Sequence, residues 1–200
     1  MSERVRVELR DGVADVRMCR AEKMNAIDAA MFSELQEAGR ALAQDRQVRA
    51  VVLSGEGRAF CAGLDMESFA AMAGPRSGGN ADPKLFERSP GGANRAQLAA
   101  WIWQELPVPV IAAVHGVAYG GGLQIALGAD LRLVAPDARL SIMEVKWGLV
   151  PDMSGTQTLR RLVRQDVAKE LTFTGRVVSG EEAVALGLAT RVSAKPREDA

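Results

Sequence analysis

Three consecutive glycines at residues 120–122 stand where a short apolar strand gives way to an apolar helix. We predict the strand over residues 110–114, a β-branched and alanine run behind two prolines, and the helix over residues 123–127. Glycines leave the backbone uncovered there, and the first N–H groups of a helix have no partner within the helix. Such a junction suits an anion, or a carbonyl oxygen that gains negative charge during a reaction. Alternatively, the glycines only let the helix pack closely against the strand.

A second junction of the same kind occupies residues 58–66, RAFCAGLDM. The small residues Ala62 and Gly63 precede Asp65, whose carboxylate can cap a short helix that begins at Met66. Because two loop-to-helix junctions with free N–H groups occur in one chain, a site for a developing oxyanion is favoured over close packing alone.

The composition restricts the classes of function and of partner. The 200-residue chain carries 25 basic and 25 acidic residues, so no charge excess favours a nucleic acid or an anionic membrane surface. Two cysteines are too few for a disulfide framework. The charged N-terminus lacks the apolar core of a signal peptide. Residues 106–129 are mostly apolar, but their prolines, His115 and Gln124 argue against a membrane span. We therefore expect a cytoplasmic protein.

The elements that must position the two junctions alternate between strands and helices, which indicates one α/β domain. A β-hairpin is predicted over residues 5–18, a helix capped by Asp28 follows, and a buried strand covers residues 48–53. Further helices are predicted over 94–105, 154–163, 165–173 and 181–186, and short strands over 131–134, 139–142 and 190–192. Residues 144–152 are expected to form a loop. Residues 73–93 are expected to form either a mobile loop over a site or a surface insertion.

Four stretches together resemble the crotonase superfamily, also called the enoyl-CoA hydratase/isomerase family. They are MNAID at 24–28, SGEGRAFCAGLDM at 54–66, AAVHGVAYGGGLQIALGAD at 112–130, and MEVKWGLVPDMSGTQTLRRLV at 143–163. The resemblance implies the α/β crotonase-like fold, a spiral of repeated ββα units, and an acyl-CoA-binding catalytic domain over residues 1–192. Residues 193–200 are expected to be a charged tail, without the C-terminal helices with which the family covers its acyl pocket.

Members of this family bind acyl-CoA thioesters and stabilise an enolate-like intermediate. By resemblance, the backbone N–H groups of Leu64 and Gly121 would be the two oxyanion donors. The path of the coenzyme A adenine and pantetheine would be lined, mainly by backbone atoms, by Ala26, Ala62, Gly63, Asp65, Met66 and Glu67. Coenzyme A would arrive as part of the substrate, so no separate cofactor and no metal is expected. His115, the sole histidine, is interpreted as a structural residue.

The candidate side chains for proton transfer depart from the pattern of the family's hydratases. Those enzymes carry two glutamates, at positions where this chain has Gln124 and Glu144. Hydration requires a water to be activated and a proton to be delivered to carbon, and glutamine cannot accept a proton. A single carboxylate can, however, remove a proton at one carbon and return it at another. Glu144 as the sole base therefore predicts an enoyl-CoA isomerase.

Several alternatives stay open. Asp152 corresponds to a catalytic aspartate of the family's dienoyl-CoA isomerase branch, and it would act as a second acid, orient Glu144, or cap the helix at Ser154. An enoyl-CoA hydratase would use Gln124, Glu144 and Asp152 together. A non-catalytic subunit would bind acyl-CoA without turnover. The resemblance also implies a homotrimer or a hexamer in which a neighbouring subunit completes the pocket.

Overall fold

The computed structural model describes residues 3–67 and 87–200, so most of the loop predicted over 73–93 lies outside the described residues. Strands β1 (Val5–Arg10) and β2 (Val13–Met18) pair antiparallel, which confirms the predicted hairpin. The two turn residues, Asp11 and Gly12, have φ values of 51° and 82°. An Asp-Gly pair adopts these positive angles readily, and the resulting turn matches the twist of the strands it joins.

A six-stranded sheet forms the centre of the fold, and a three-stranded sheet lies beside it. The other strands are β3 (Ala50–Gly55), β4 (Val110–Val114), β5 (Val117–Tyr119), β6 (Leu131–Val134), β7 (Arg139–Ser141), β8 (Val178–Ser179) and β9 (Arg191–Val192). The large sheet has the order β1-β2-β3-β4-β6-β9, and every pairing after the hairpin is parallel. The small sheet has the order β5-β7-β8. Continuous apolar runs suit strands that are buried on both faces.

The chain alternates between the two sheets in a regular way. Strands β4 and β6 belong to the large sheet, and each is followed by a strand of the small sheet and then by a helical segment. This repetition is the predicted spiral of ββα units. Strand β3 begins two residues later than predicted and includes Ser54 and Gly55, which pair with the end of β2. Strands β5 and β8 were not predicted, because strands of three and two residues are too short to show a periodic pattern.

Helices of the described residues lie between the strands along the chain. They are α1 (Ala29–Gln44), α2 (Arg95–Trp101), α3 (Gly121–Leu127), α4 (Gly155–Leu162), α5 (Gln165–Thr174) and α6 (Gly180–Leu186). As predicted, the Asp28 side chain caps α1 by accepting a hydrogen bond from the Met31 N–H at 2.8 Å. Helix α2 ends earlier than expected, and the chain continues as a 3₁₀ turn that buries Trp103. No helix in this part of the chain is long and apolar enough to cross a membrane.

The prediction that residues 144–152 form a loop is wrong for the first half of this range. Residues Met143–Trp147 form a 3₁₀ helix that ends at Gly148, whose φ of 68° closes the turn. A helix this short has no apolar repeat from which the sequence could predict it. Its consequence is that Glu144 lies in the first turn and is buried, with 8% of its surface exposed.

His115 and the C-terminal residues also pair within the fold. The His115 Nε2 atom donates a hydrogen bond to the Gly57 carbonyl oxygen at 2.9 Å, in line with a structural role. Beyond β9, Arg197 forms an ion pair with Asp15 of β2 at 2.5 Å, and the Ser193 hydroxyl donates to Asp199 at 2.5 Å. The first contact joins the charged tail to strand β2, and the second lies within the tail.

Candidate active site

A cavity of about 650 Å³ brings the two predicted junctions together. It lies between the loop over 22–26, the loop over 62–67, the start of α3 and the chain from Met143 to Met153. All of the site residues that sequence analysis proposed line it, namely Ala26, Ala62, Gly63, Leu64, Asp65, Met66, Glu67, Gly121, Gln124, Glu144 and Asp152. Residues separated by more than a hundred positions in the sequence thus share one surface.

The N–H groups of Leu64 and Gly121 are both free to serve a ligand. Neither donates to an acceptor within residues 3–67 and 87–200. Gly121 is the first residue of α3, so its N–H has no acceptor inside the helix. The two junctions touch, because a Cβ built on Gly63 would lie 3.7 Å from the Gly121 nitrogen. Two backbone donors that line the same cavity can bind an oxygen that becomes negatively charged.

The three glycines of residues 120–122 serve different purposes. A Cβ on Gly122 would lie 2.3 Å from the Cys61 carbonyl oxygen, so close packing is the reason for a glycine at that position. Gly120 has a φ of 51° and precedes the helix. A Cβ there would lie 3.4 Å from Oε1 of Glu144. Gly121 lines the cavity, and its N–H has no acceptor among the residues that the structure describes. Close packing, one of the two explanations considered for the triplet, therefore applies to Gly122, and a site for a developing oxyanion stays a prediction for Gly121.

Gln124 and Glu144 form a buried hydrogen-bonded pair. The Gln124 Nε2 atom donates to Oε1 of Glu144 at 2.6 Å, and the Gln124 Oε1 atom accepts from the Gly155 N–H at 2.8 Å. The second oxygen of Glu144, Oε2, is buried and has no hydrogen-bond partner among the residues that the structure describes. This carboxyl group therefore has one oxygen bound by Gln124 and one buried oxygen without a hydrogen-bond partner in the described part of the chain.

The surroundings of Glu144 shift its acidity. Burial raises the pKa of the Glu144 carboxyl above its ordinary value, since a charge is less stable away from water. Hydrogen bonds from its own backbone N–H and from Gln124 oppose the rise, and the negative charge of Asp152 adds to it. A carboxyl with a raised pKa is better suited to taking up and returning a proton near neutral pH.

Asp152 is exposed at the rim of the same cavity. The helix that follows has Ser154 as its N-cap residue, and no side chain forms a capping hydrogen bond there. The capping role considered for Asp152 is therefore wrong. The negative charge of Asp152 makes the smallest of the contributions to the pKa of Glu144.

The sequence model of the family described as enoyl-CoA hydratase/isomerase matches residues 8–198. The chain belongs to this family. Among relatives, it is 39% identical over 188 residues to enoyl-CoA hydratase domain-containing protein 2, mitochondrial, of Bos taurus, covering 94% of this chain and 60% of the relative. It is 37% identical over 164 residues to a probable enoyl-CoA hydratase of Bacillus subtilis (strain 168), covering 82% of this chain and 59% of that protein. The chain thus spans about 60% of the length of these curated relatives.

Solved structures show that this member of the enoyl-CoA hydratase/isomerase family has the crotonase fold. A putative enoyl-CoA hydratase from Streptomyces coelicolor A3(2) superimposes with a TM-score of 0.84 at 34% identity, over 96% of this chain and 67% of the other. An enoyl-CoA hydratase/isomerase from Mycobacterium paratuberculosis gives a TM-score of 0.86 at 26% identity, over 100% of this chain and 76% of the other. The predicted fold class is confirmed.

This enoyl-CoA hydratase/isomerase family member also contains a buried ion pair that sequence analysis missed. Arg20 Nη1 donates to Oδ2 of Asp65 at 2.7 Å and to the Ala26 carbonyl oxygen at 3.0 Å. Oδ1 of Asp65 accepts from the Glu67 N–H at 2.9 Å, which is the predicted helix cap. Arg20 therefore joins the two loops that flank the cavity. The only local signal is an arginine just after an apolar strand, and nothing near it in sequence indicates a partner 45 residues away.

Proposed function

We propose that the protein binds an enoyl-CoA thioester and shifts its double bond, acting as an enoyl-CoA isomerase. The observation that carries the proposal is the Glu144 carboxylate at the cavity wall. It is buried, Gln124 holds one of its oxygens, and the other oxygen has no partner in the described part of the chain. Such a group can take up one proton and give it back.

The backbone donors supply the electrostatic part of the mechanism. The proton on C2 of a 3-enoyl thioester is acidic because its removal places negative charge on the thioester oxygen. In our proposal the N–H groups of Leu64 and Gly121 donate to that oxygen. Both belong to backbone held by the fold, so little reorganisation is needed as charge develops.

Glu144 performs the proton transfer. Its free oxygen removes the C2 proton of a 3-enoyl-CoA, and the resulting enolate is conjugated with the double bond. Return of the same proton to C4 gives the 2-enoyl-CoA, with no water consumed and no second acid required. Gln124 takes no proton in this scheme, which agrees with the chemistry of an amide.

The coenzyme A part of the substrate would lie along the loops on the other side of the cavity. Ala62 and Gly63 leave the backbone accessible, and the exposed side chains of Met66 and Glu67 stand at the opening. Lys23 lines the same opening and offers a positive charge for a phosphate group. Coenzyme A enters and leaves with the substrate, so this scheme uses no separate cofactor.

A second candidate is an enoyl-CoA hydratase in which Glu144 and Asp152 act together. The observation in its favour is that both carboxyls line the same cavity and that the Asp152 charge raises the pKa of Glu144. Two interacting carboxyls can provide a base and an acid at the same pH. The names of the relatives do not decide between an isomerase and a hydratase. The Bacillus subtilis protein is a probable enoyl-CoA hydratase, and one from Arabidopsis thaliana is a dienoyl-CoA isomerase.

We further propose that the protein assembles as a homotrimer or a dimer of trimers. Large apolar side chains are exposed in the lining of the cavity and on helix α5, namely Trp147, Leu149, Val150 and Phe173. Exposed apolar groups clustered in this way mark surfaces that are covered in the functional state. Mass measurement in solution tests the assembly, and an active monomer would contradict it.

Parallel assays of the purified protein test the reaction. Isomerisation of a 3-enoyl-CoA and hydration of crotonyl-CoA are measured together, beside the affinity for a saturated acyl-CoA. Faster isomerisation supports the proposal, and faster hydration supports the second candidate. Tight binding without turnover of either thioester would indicate a non-catalytic acyl-CoA-binding subunit.

A further inference from the structure

The two hydrogen bonds of Gln124 fix the direction in which its amide is turned. Its oxygen accepts from the Gly155 N–H at 2.8 Å, and its nitrogen donates to Glu144 at 2.6 Å. A backbone N–H can only donate, so the amide oxygen must face Gly155. Turning the amide over would set two donors against each other at Gly155 and two acceptors against each other at Glu144. The buried amide, 3% exposed, therefore has one stable orientation.

This orientation distinguishes the two oxygens of Glu144. Oε1 receives the Gln124 hydrogen bond, whereas Oε2 has no partner among residues 3–67 and 87–200. We propose that Gln124 is a positioning residue, which holds Glu144 by Oε1 and so reserves Oε2 for the substrate proton. This inference rests on the proposed function of Glu144 as the base. Gln124 takes no part in proton transfer itself.

The start of α4 belongs to the same arrangement. Gly155 is the first residue of that helix, and a Cβ built on it would lie 2.7 Å from Oε1 of Gln124. A glycine at this position is what allows the N–H to approach the amide so closely. The hydrogen bonds thus form a chain from Gly155 through Gln124 to Glu144. Gly155 also offers a way to disturb the amide without replacing either Gln124 or Glu144.

Charged groups around the cavity could also affect the carboxyl. Besides Glu144, the titratable residues that line the cavity are Glu22, Lys23, Asp65, Glu67, Tyr119 and Asp152. Asp65 is ion-paired with Arg20, and Asp152 is the one whose charge acts on Glu144. The Gln124 hydrogen bond lowers the pKa of Glu144 and so opposes both burial and Asp152. Loss of that bond should move the pH dependence of the reaction to higher pH.

The first test is Gln124→Met in the whole protein, with isomerisation of a 3-enoyl-CoA measured across pH. Methionine keeps the length and bulk of the side chain but neither donates nor accepts as an amide does. We expect kcat to fall on the order of ten- to hundredfold, as for a lost hydrogen bond to a charged group, with KM little changed. The low-pH side of the kcat profile, where activity rises as Glu144 loses its proton, should move to higher pH. Gln157→Met, the same change at an exposed position of α4, should leave the profile unaltered.

Two further variants separate positioning from simple packing. Gly155→Ala should cause the same kind of change, since the new methyl group displaces the Gln124 oxygen. Gln124→Glu should be active where the two carboxyls share one proton, because the protonated carboxyl at position 124 can still donate to ionised Glu144. Activity should then fall as pH rises, because two carboxylates at this distance cannot both be ionised without cost. Wild-type kcat and an unshifted low-pH side of the kcat profile in Gln124→Met would overturn the inference. If that variant does not fold, the same result in Gly155→Ala overturns it.

A measurement without turnover keeps this inference separate from the proposed function. The Glu144 carboxyl is titrated by carbon-13 NMR in the wild type and in Gln124→Met or Gly155→Ala. A higher pKa for Glu144 in the variants supports positioning by Gln124, and an unchanged pKa contradicts it. If the wild type isomerises no enoyl-CoA, the proposed function fails whichever result this titration gives.

Discussion

Gly63 lies directly against the start of α3, so that a Cβ on Gly63 would stand 3.7 Å from the nitrogen of Gly121. The same Cβ would lie 2.7 Å from the Tyr119 carbonyl oxygen, and Gly63 has a φ of 93°. Both the backbone angle and the space therefore require glycine there. This contact brings the two backbone donors of the proposed oxyanion site to one wall of the cavity.

We expect Gly63→Ala to lower both stability and turnover. Strain at the positive φ should cost about 1–3 kcal/mol of the free energy of unfolding, and the displaced loop should misplace the Leu64 N–H. Gly92→Ala is the matched control, because Gly92 has a φ of 87° with nothing within 4 Å of its Cβ position. Chemical denaturation and isomerisation assays measure the two effects. Equal losses in the two variants would show that contact with Tyr119 does not matter.

Gly121→Pro should reduce turnover far more than it weakens acyl-CoA binding. Proline removes the N–H proposed to serve the thioester oxygen, and loss of one such donor costs about 2.7–4 kcal/mol of barrier. Gly121→Ala is the control, since it keeps the N–H but adds a Cβ about 3.0 Å from the Met153 sulfur. Circular dichroism verifies folding of both variants. A folded proline variant as active as the alanine variant would rule out Gly121 as a donor.

Glu144→Gln should remove nearly all isomerisation and leave the affinity for acyl-CoA close to that of the wild type. The amide keeps the size of the side chain but cannot carry the proton, so a loss of roughly 10²–10⁴-fold is expected. Asp152→Asn should be milder if Asp152 acts only through its charge. Turnover and binding of both folded variants are compared with the wild type. Full activity in Glu144→Gln would refute Glu144 as the base.

The raised pKa of Glu144 also predicts a pH-dependent cost in stability. Above the ordinary value of 4.5, and up to the raised pKa, the folded state binds more protons at this carboxyl than the unfolded state does. The free energy of unfolding therefore falls as pH rises through this window. Glu144→Gln should gain Tm relative to the wild type as pH increases, and the gain should level off above the raised pKa. Glu37→Gln, the same substitution at an exposed position of α1, controls for the general effect of replacing a carboxyl by an amide. A Tm difference independent of pH would contradict the prediction.

The Arg20–Asp65 pair should contribute strongly because both side chains are buried, with exposures of 9% and 6%. Arg20→Met breaks a buried ion pair by removing the cation that contacts Asp65 at 2.7 Å, which typically costs about 3–5 kcal/mol. Adding Asp65→Asn to the same chain should restore part of the loss. Arg164→Met removes one partner of the exposed pair with Asp166 and should change little. Urea denaturation measures the free energy of unfolding of the wild type and the three variants. Equal losses in Arg20→Met and Arg164→Met would contradict the prediction.

Local sequence signals predicted the parts of the fold that have a clear period or a turn signature. The hairpin around Asp11 and Gly12, the Asp28 cap and the glycine junction before α3 are all of this kind. The 3₁₀ helix that buries Glu144 was missed because five residues carry no apolar repeat. The partners of Arg20 and Gln124 were missed for another reason. Asp65 lies 45 residues from Arg20, and Glu144 and Gly155 lie 20 and 31 residues from Gln124, so only the folded topology brings these partners into contact.

Gln124 holds both ends of the segment that runs from Glu144 to Gly155, by its nitrogen at one end and by its oxygen at the other. Between these two fixed points, Trp147, Leu149 and Val150 are exposed and line the cavity. Hydrogen bonds to Gln124 therefore hold both ends of this loop. The residues between the ends can be substituted while the ends stay in place. If the proposed function holds, different acyl groups could be accommodated by changes in this loop, with the carboxylate proposed to carry the proton left where it is.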